Sequence, residues 1–234
     1  MPRVPDPPSL TPDHIARVHR EIADAGPAPG VEQQTDADYA HWVSHILKGH
    51  APGAPIQLFA SGSLIWKPEI DHRAERPAVA RGWHRAFCLR MHRFRGTPDQ
   101  PGLMMALDRG GQCRGVVLEL PSEDPAVQLD RLFRREFTVK PINNIPRWLM
   151  VQTPDGPVKA LGFVMNRASP YYAGRLPPEE AARTLSRACG HWGTGAEYLL
   201  NTVTQLEARG IRDAGLWRLQ ALVAEEIDRM PPGS

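Results

Sequence analysis

Two features of the chain have residue types and spacing suited to chemistry. The first is the run Phe59-Ala60-Ser61-Gly62-Ser63-Leu64-Ile65-Trp66, which leaves a short apolar stretch, Ile56-Gln57-Leu58-Phe59. A small-residue turn at the end of a strand can aim several backbone N–H groups into one concavity and hold an anion or an oxyanion. Gly62 offers backbone freedom there, and no bulky side chain blocks a ligand. The same residues also suit an ordinary tight turn. The second feature is Glu136, where a helical apolar set ends beside Arg134, Arg135 and Phe137. A carboxylate in a partly apolar pocket binds its proton more tightly and can take or give one near neutral pH. A solvated glutamate paired with an arginine at a helix end is the alternative.

A third segment is basic. Arg81, Arg85, Arg90, Arg93 and Arg95 are interleaved with His84, His92, Trp83, Phe87 and Phe94, and no acid interrupts them between 81 and 95. Arginines and aromatics on a sheet can bind single-stranded nucleic acid. They can equally form a basic solvent face, or dock the carboxylates of a small anionic substrate. His41 and His45 are four apart on a predicted helix with His50 nearby, but Trp42-Val43-Ser44 lacks the glutamate of a His-Glu-x-x-His metal site. No Gly-x-Ser-x-Gly elbow, phosphate-binding loop or dinucleotide fingerprint occurs, so neither metal nor cofactor is expected.

The elements that must position these residues read as mixed. Thr11-Pro12-Asp13 has the chemistry of a helix start, followed by Ile15, Val18 and Ile22 at helical spacing. Tyr39, Trp42, Val43, Ile46 and Leu47 mark a second helix. After Pro55 the composition changes. An extended segment runs from Ala78 to Arg95, and Gly102–Leu107 and Gln112–Leu120 read as strands joined by Arg109-Gly110-Gly111. Pro125 opens a helix with Val127, Leu129, Leu132 and Phe133 as its apolar set. Arg147–Thr153 and Val158–Met165 form a hairpin around Pro154-Asp155-Gly156. Three helices close the chain, at about Pro178–Cys189, Gly195–Ala208 and Asp213–Met230. Strands cluster in the middle and helices follow, an α+β pattern without the alternation of a doubly wound sheet. Residues 1–54 read as a helical N-terminal extension and 55–230 as the main domain.

Composition narrows the classes of function. The 234 residues carry 28 Lys+Arg against 26 Asp+Glu, a net charge of +2, which argues against a dedicated nucleic-acid or membrane-surface protein. An apolar share of 41% suffices for a sizeable core. No apolar run approaches the roughly 20 residues that span a bilayer. The proline-rich opening Met1-Pro2-Arg3-Val4-Pro5-Asp6-Pro7-Pro8 lacks a signal peptide's apolar stretch, and a cytoplasmic chain is expected. Cys88, Cys113 and Cys189 are far apart and among apolar neighbours, which suits buried, inert thiols.

Taken together, the turn and Glu136 belong to a wider pattern. Phe59-Ala60-Ser61-Gly62-Ser63-Leu64-Ile65-Trp66-Lys67-Pro68 resembles the opening motif of ChaC-type γ-glutamylcyclotransferases. The resemblance continues through Gly82-Trp83-His84-Arg85-Ala86-Phe87, Arg95-Gly96-Thr97-Pro98, Pro101-Gly102-Leu103, Cys113-Arg114-Gly115-Val116 and Arg134-Arg135-Glu136. It extends through Gly193-Thr194-Gly195-Ala196-Glu197-Tyr198-Leu199 to Gly210-Ile211-Arg212-Asp213. It implies a small mixed β-barrel with flanking and C-terminal helices, and a reaction that turns γ-glutamyl peptides, chiefly glutathione, into 5-oxoproline and the remaining dipeptide. It places the acid/base at Glu136 and the substrate loop at Ala60, Ser61, Gly62, Ser63, Leu64 and Ile65. Arg93, Arg95 and Tyr198 are candidate substrate contacts. Two departures from the family pattern lie near these residues. Ala60-Ser61 stands where the family has Gly-Tyr, and Asn143-Asn144 stands where many members place a tyrosine. These departures leave open a non-catalytic γ-glutamyl-binding protein as a second reading, with a single-stranded nucleic-acid-binding sheet as a third.

Overall fold

The computed structural model describes residues 7–231, so the opening residues 1–6 lie outside the described residues. In chain order the elements are α1 (Pro12–Val18), α2 (Asp36–Leu47), β1 (Gln57–Ala60), α3 (Ser63–Trp66), β2 (Ala74–Met91), β3 (Gly102–Glu119) and α4 (Pro125–Glu136). They continue with β4 (Asn144–Thr153), β5 (Gly156–Met165), α5 (Pro178–Arg187), β6 (Cys189–Gly190), β7 (Gly193–Thr194), α6 (Gly195–Glu207) and α7 (Ala214–Asp228). The contacts divide the described residues into two compact units, residues 29–89 with 105–174 and residues 7–28 with 90–104 and 175–231.

The first of these units holds a closed barrel in the order β1-β3-β2-β4-β5, sealed by further pairing of β5 with β3. β1 runs antiparallel to β3, from Gln57↔Glu119 to Ala60↔Val116, and meets β5 in parallel at Leu58↔Leu161. The β4–β5 hairpin keeps full register from Asn144↔Met165 to Thr153↔Gly156. Its two-residue turn, Pro154-Asp155, hands the chain to Gly156 at φ 117, an angle that suits a residue without Cβ. Phe59, Ala78, Ala80, Leu107, Cys113, Val117, Leu149, Val151, Ala160 and Val164 pack together as a buried core. The two strands expected around Arg109-Gly110-Gly111 are one continuous strand. Each half is held by its own ladder, Leu107 to Val164 and Val116–Glu119 to β1.

Against the barrel unit's sequence, α4 is the helix that matters most. Proline stands at its first position, and Leu129, Leu132 and Phe133 are fully buried. Each such side chain contributes about 1.5–3 kcal/mol relative to exposure. Val127, expected in the same apolar set, is instead 59% exposed. It lies two residues before Leu129, about 200° around a helix of 3.6 residues per turn, and so faces the other way.

In the second unit, α1, α5, α6 and α7 pack as helices. Gly195 at the start of α6 lies so close to Leu185 of α5 that a Cβ there would sit 2.9 Å from the Leu185 Cδ2. α1 is shorter than the Ile15-Val18-Ile22 spacing predicts: His19 takes extended angles and its N–H returns to the Ile15 carbonyl, leaving Ile22 outside the helix. Thr194 caps α6 by accepting from the Glu197 N–H at 2.9 Å. Among the described residues, no helix is long and apolar enough to cross a membrane.

Candidate active site

Ala60 ends β1 with no exposed surface, and its ladder partner is Val116. Next to that partner stands Gly115. A Cβ at position 115 would collide with the Ala60 carbonyl and come within 3.0 Å of the Phe59 ring, so only glycine lets β3 pass this close. The Ser61 carbonyl then accepts from Arg85 Nε at 2.6 Å, and Arg85 Nη2 also donates to the Arg114 carbonyl. In a trans peptide the C=O and the following N–H point in opposite directions, so the Gly62 N–H is turned away from Arg85.

The expected turn is a helix of a single turn. Gly62 caps α3 with φ −140 and ψ −129, a negative φ rather than the left-handed one that glycine alone favours. Ile65 N–H returns to the Gly62 carbonyl at 2.8 Å and Lys67 N–H to the Ser63 carbonyl at 2.7 Å. Leu64 and Ile65 are buried and anchor the turn. The first N–H groups of a helix have no partner within it. Here those groups belong to Gly62, Ser63 and Leu64, the residues expected to form the cradle.

Glu136 is the last residue of α4, and its side chain is only 12% exposed. An aromatic group packs around the next residue: Phe137 stacks on Phe133 at 5.3 Å and on Tyr39 at 5.9 Å between ring centroids, with Trp42 edge-on at 6.0 Å. Burial pushes the Glu136 carboxyl up from the ordinary range. Arg135 opposes that rise by charge and hydrogen bond, and Glu69 adds to it. The negative end of the α4 dipole acts in the same direction as burial.

Arg135 joins the two features. Its Nη1 donates to Glu136 Oε1, its Nη2 to the Lys67 carbonyl at 2.5 Å and, at the long limit of 3.5 Å, to Ser63 Oγ, and its Nε to Glu69 Oε2 at 3.2 Å. The guanidinium therefore caps the C-terminal end of α3 while pairing with the carboxylate at the end of α4. Asn144, at the start of β4, reaches the Glu136 carbonyl through Nδ2 at 3.5 Å. Among the described residues its buried Oδ1 has no hydrogen-bond partner. Among these groups, the roles of Arg85, Arg135 and Glu69 were not read from sequence. Adjacency to Glu136 was the signal for Arg135. Nothing local signals Arg85, whose carbonyl partners lie at 61 and 114, or the contact of Glu69 with Arg135, 66 residues away.

Arg93, Arg95 and Tyr198 belong to the helical unit and are described within it. The extended segment ends at Met91 rather than Arg95, so both arginines follow the strand. Arg93 grips Asp24 through Nε at 2.7 Å and Nη2 at 2.6 Å, which holds the Asp24 carboxyl far below its usual range. Arg95 is buried; it donates to the Thr194 carbonyl at 2.8 Å and to Glu197 Oε2 at 2.9 Å, and its guanidinium lies 5.4 Å from the centre of the buried Tyr198 ring. Arg81 and Arg90 are exposed. His41 and His45 stack on α2 at 6.4 Å, and among the described residues no group of three or more His, Cys, Asp or Glu is placed to hold a metal ion.

A family model described as ChaC-like protein matches residues 56–226. The chain is 36% identical over 163 residues to the glutathione-specific gamma-glutamylcyclotransferase of Escherichia coli (strain K12), across 69% of this chain and 70% of that one. It is 32% identical over 163 residues to glutathione-specific gamma-glutamylcyclotransferase 1 of Homo sapiens, across 66% of this chain and 71% of that one. The fold resembles the crystal structure of a glutathione-specific gamma-glutamyl cyclotransferase from yeast, with a TM-score of 0.67 at 18% identity, over 74% of this chain and 97% of that one. By sequence and by fold, the chain belongs to the ChaC-like protein family.

Proposed function

We propose that the protein is a γ-glutamylcyclotransferase acting on glutathione, and that Glu136 is its acid/base. The observation that carries this reading is the Arg135 bridge, which ties a buried carboxylate of raised proton affinity to the C-terminal end of α3, the short helix whose first N–H groups belong to Gly62, Ser63 and Leu64. The relatives named above support the reaction class and the substrate.

The chemistry follows from these parts. The α-amine of the γ-glutamyl group attacks its own side-chain carbonyl carbon, a C–N bond closes the five-membered ring, and the old amide C–N bond breaks. Nucleophile and electrophile share one molecule, so holding the folded conformer supplies much of the acceleration, up to about 7–11 kcal/mol in the best intramolecular cases. Glu136 takes the proton that the ammonium must lose and returns it to the departing nitrogen, so no net proton is consumed. The Gly62, Ser63 and Leu64 N–H groups hold the substrate carboxylate or the developing oxyanion. Ala60, Ser61 and Ile65 complete the substrate loop. Arg93, Arg95 and Tyr198 remain candidate contacts for the distal part of the substrate, and Asn143-Asn144 together with Ala60-Ser61 are the places where substrate choice would differ from the relatives. The catalytic domain is assigned to residues 55–230, with 1–54 as an extension and the cytoplasm as the site of action. The family match over 56–226 supports the bounds of the catalytic domain.

The test is Glu136→Gln with glutathione, following 5-oxoproline. The variant should lose about 10²–10⁴ in turnover while remaining folded. Near-wild-type release of 5-oxoproline by the folded variant would remove Glu136 from the mechanism. Binding of glutathione without product by the wild-type chain would favour a non-catalytic γ-glutamyl-binding protein.

A further inference from the structure

We propose that Glu69 is a positioning residue that sets the proton affinity of Glu136 by sharing Arg135 with it. The proposal rests on the reading of Glu136 as the acid/base. Glu69 follows α3 by three residues, and its backbone has φ 55, left-handed angles that a glutamate adopts only where its surroundings impose them. Its carboxylate is held at both oxygens, Oε2 by Arg135 Nε at 3.2 Å and Oε1 by Lys67 Nζ at 3.2 Å.

Arg135 thus faces two carboxylates with one positive charge. Its three nitrogens are spread over Glu69, Glu136, the Lys67 carbonyl and Ser63 Oγ. A cation divided in this way stabilises the Glu136 anion less than a dedicated partner would, and the Glu69 charge itself opposes ionisation of Glu136. The charged groups acting on Glu136 are Arg135 and Glu69. Arg134, next along α4, is occupied by Asp130 at 2.7 Å and Asp36 at 2.8 Å, and Lys67 is turned to Glu69. Asn144, from β4, is neutral. Glu69 is 51% exposed against 12% for Glu136, so water screens Glu69 while Glu136 depends on its few protein partners.

The experiment is the pH dependence of kcat/KM for 5-oxoproline release from glutathione, using the full chain. The acidic limb reports the base of the free enzyme. Glu69→Gln should move that limb to lower pH, because Arg135 is released to Glu136 and a negative charge is lost. Lys67→Met should move it to higher pH, because Glu69 loses the cation that partly neutralises it. Glu69→Asp, which keeps the charge and tolerates left-handed backbone, should restore the wild-type limb. Opposite shifts from two neighbouring substitutions cannot arise from general loosening of the loop. An unmoved limb in Glu69→Gln, or one moved to higher pH, overturns the proposal. If Glu136→Gln keeps its turnover, the acid/base reading itself fails. If Glu136→Gln is inactive and the Glu69→Gln limb stays in place, only the role of Glu69 fails.

Discussion

Arg135→Met is the most discriminating perturbation of this site. Methionine keeps much of the buried stem but removes every donor. Four contacts disappear, and they are unequal. The Ser63 contact, at 3.5 Å, is too long to contribute much. The pair with Glu69 involves a half-exposed carboxylate and is worth about 0–1 kcal/mol after solvent screening. The bond to the Lys67 carbonyl, from a charged donor, is worth about 1.5–3 kcal/mol. Breaking the pair with Glu136 would cost about 3–5 kcal/mol if the carboxylate stayed ionised. It need not, because a buried acid deprived of its cation takes up a proton instead. The expected loss is therefore about 2–4 kcal/mol near neutral pH. It should shrink as pH falls, since protonated Glu136 has no need of Arg135, and grow as pH rises. Urea unfolding across pH measures this. In the same variant the acidic limb of kcat/KM should move to higher pH, because the group that most opposes the effect of burial is gone. A variant within about 0.5 kcal/mol of wild type at all pH values, with an unmoved limb, would refute the account of the bridge.

Three further outcomes are expected. Because the folded-state pKa of Glu136 is raised, its contribution to stability is present below the unfolded carboxylate value and lost as pH rises through the folded one. Glu136→Gln should then melt above wild type at alkaline pH by calorimetry, with the gain closing on acidification. Gly115→Ala forces a methyl group against the Ala60 carbonyl and the Phe59 ring and should lose about 1–3 kcal/mol or more in chemical denaturation, with a matching fall in activity. Burial, aided by the Asp108 carboxylate, pushes the Cys88 thiol up to about 12, so iodoacetamide at about pH 8 should leave Cys88 unmodified until denaturant is added.

Local patterns in the sequence carried the elements with strong internal signals. Pro125 with Leu129, Leu132 and Phe133 announced α4, and Pro154-Asp155-Gly156 announced the β4–β5 hairpin, because each rests on neighbours within a few residues. Barrel closure was legible only through resemblance, since the parallel contact Leu58↔Leu161 joins segments far apart in the chain. α3 spans four residues, too few to show a period, and so read as a turn. The Arg135 bridge follows the same logic. The side chain is adjacent to Glu136 in sequence, but its other partners lie at 63, 67 and 69, and no spacing rule links those positions.

The surroundings of Glu136 also draw on residues that precede the stretch resembling the family. Gln34 N–H donates to the Thr138 carbonyl at 2.8 Å, and Lys140 N–H donates to the Glu32 carbonyl at 2.8 Å. Tyr39 hydroxyl reaches the Phe137 carbonyl at 3.1 Å, and Lys140 pairs with Asp38 at 2.6 Å. A chain begun at residue 55 would keep every motif and still expose Phe137 and leave the backbone after Glu136 without these partners. In this protein the segment that follows the glutamate is tied down by residues encoded before the barrel begins, so shortening the chain at its front should loosen the end of α4 as a substitution beside the site would.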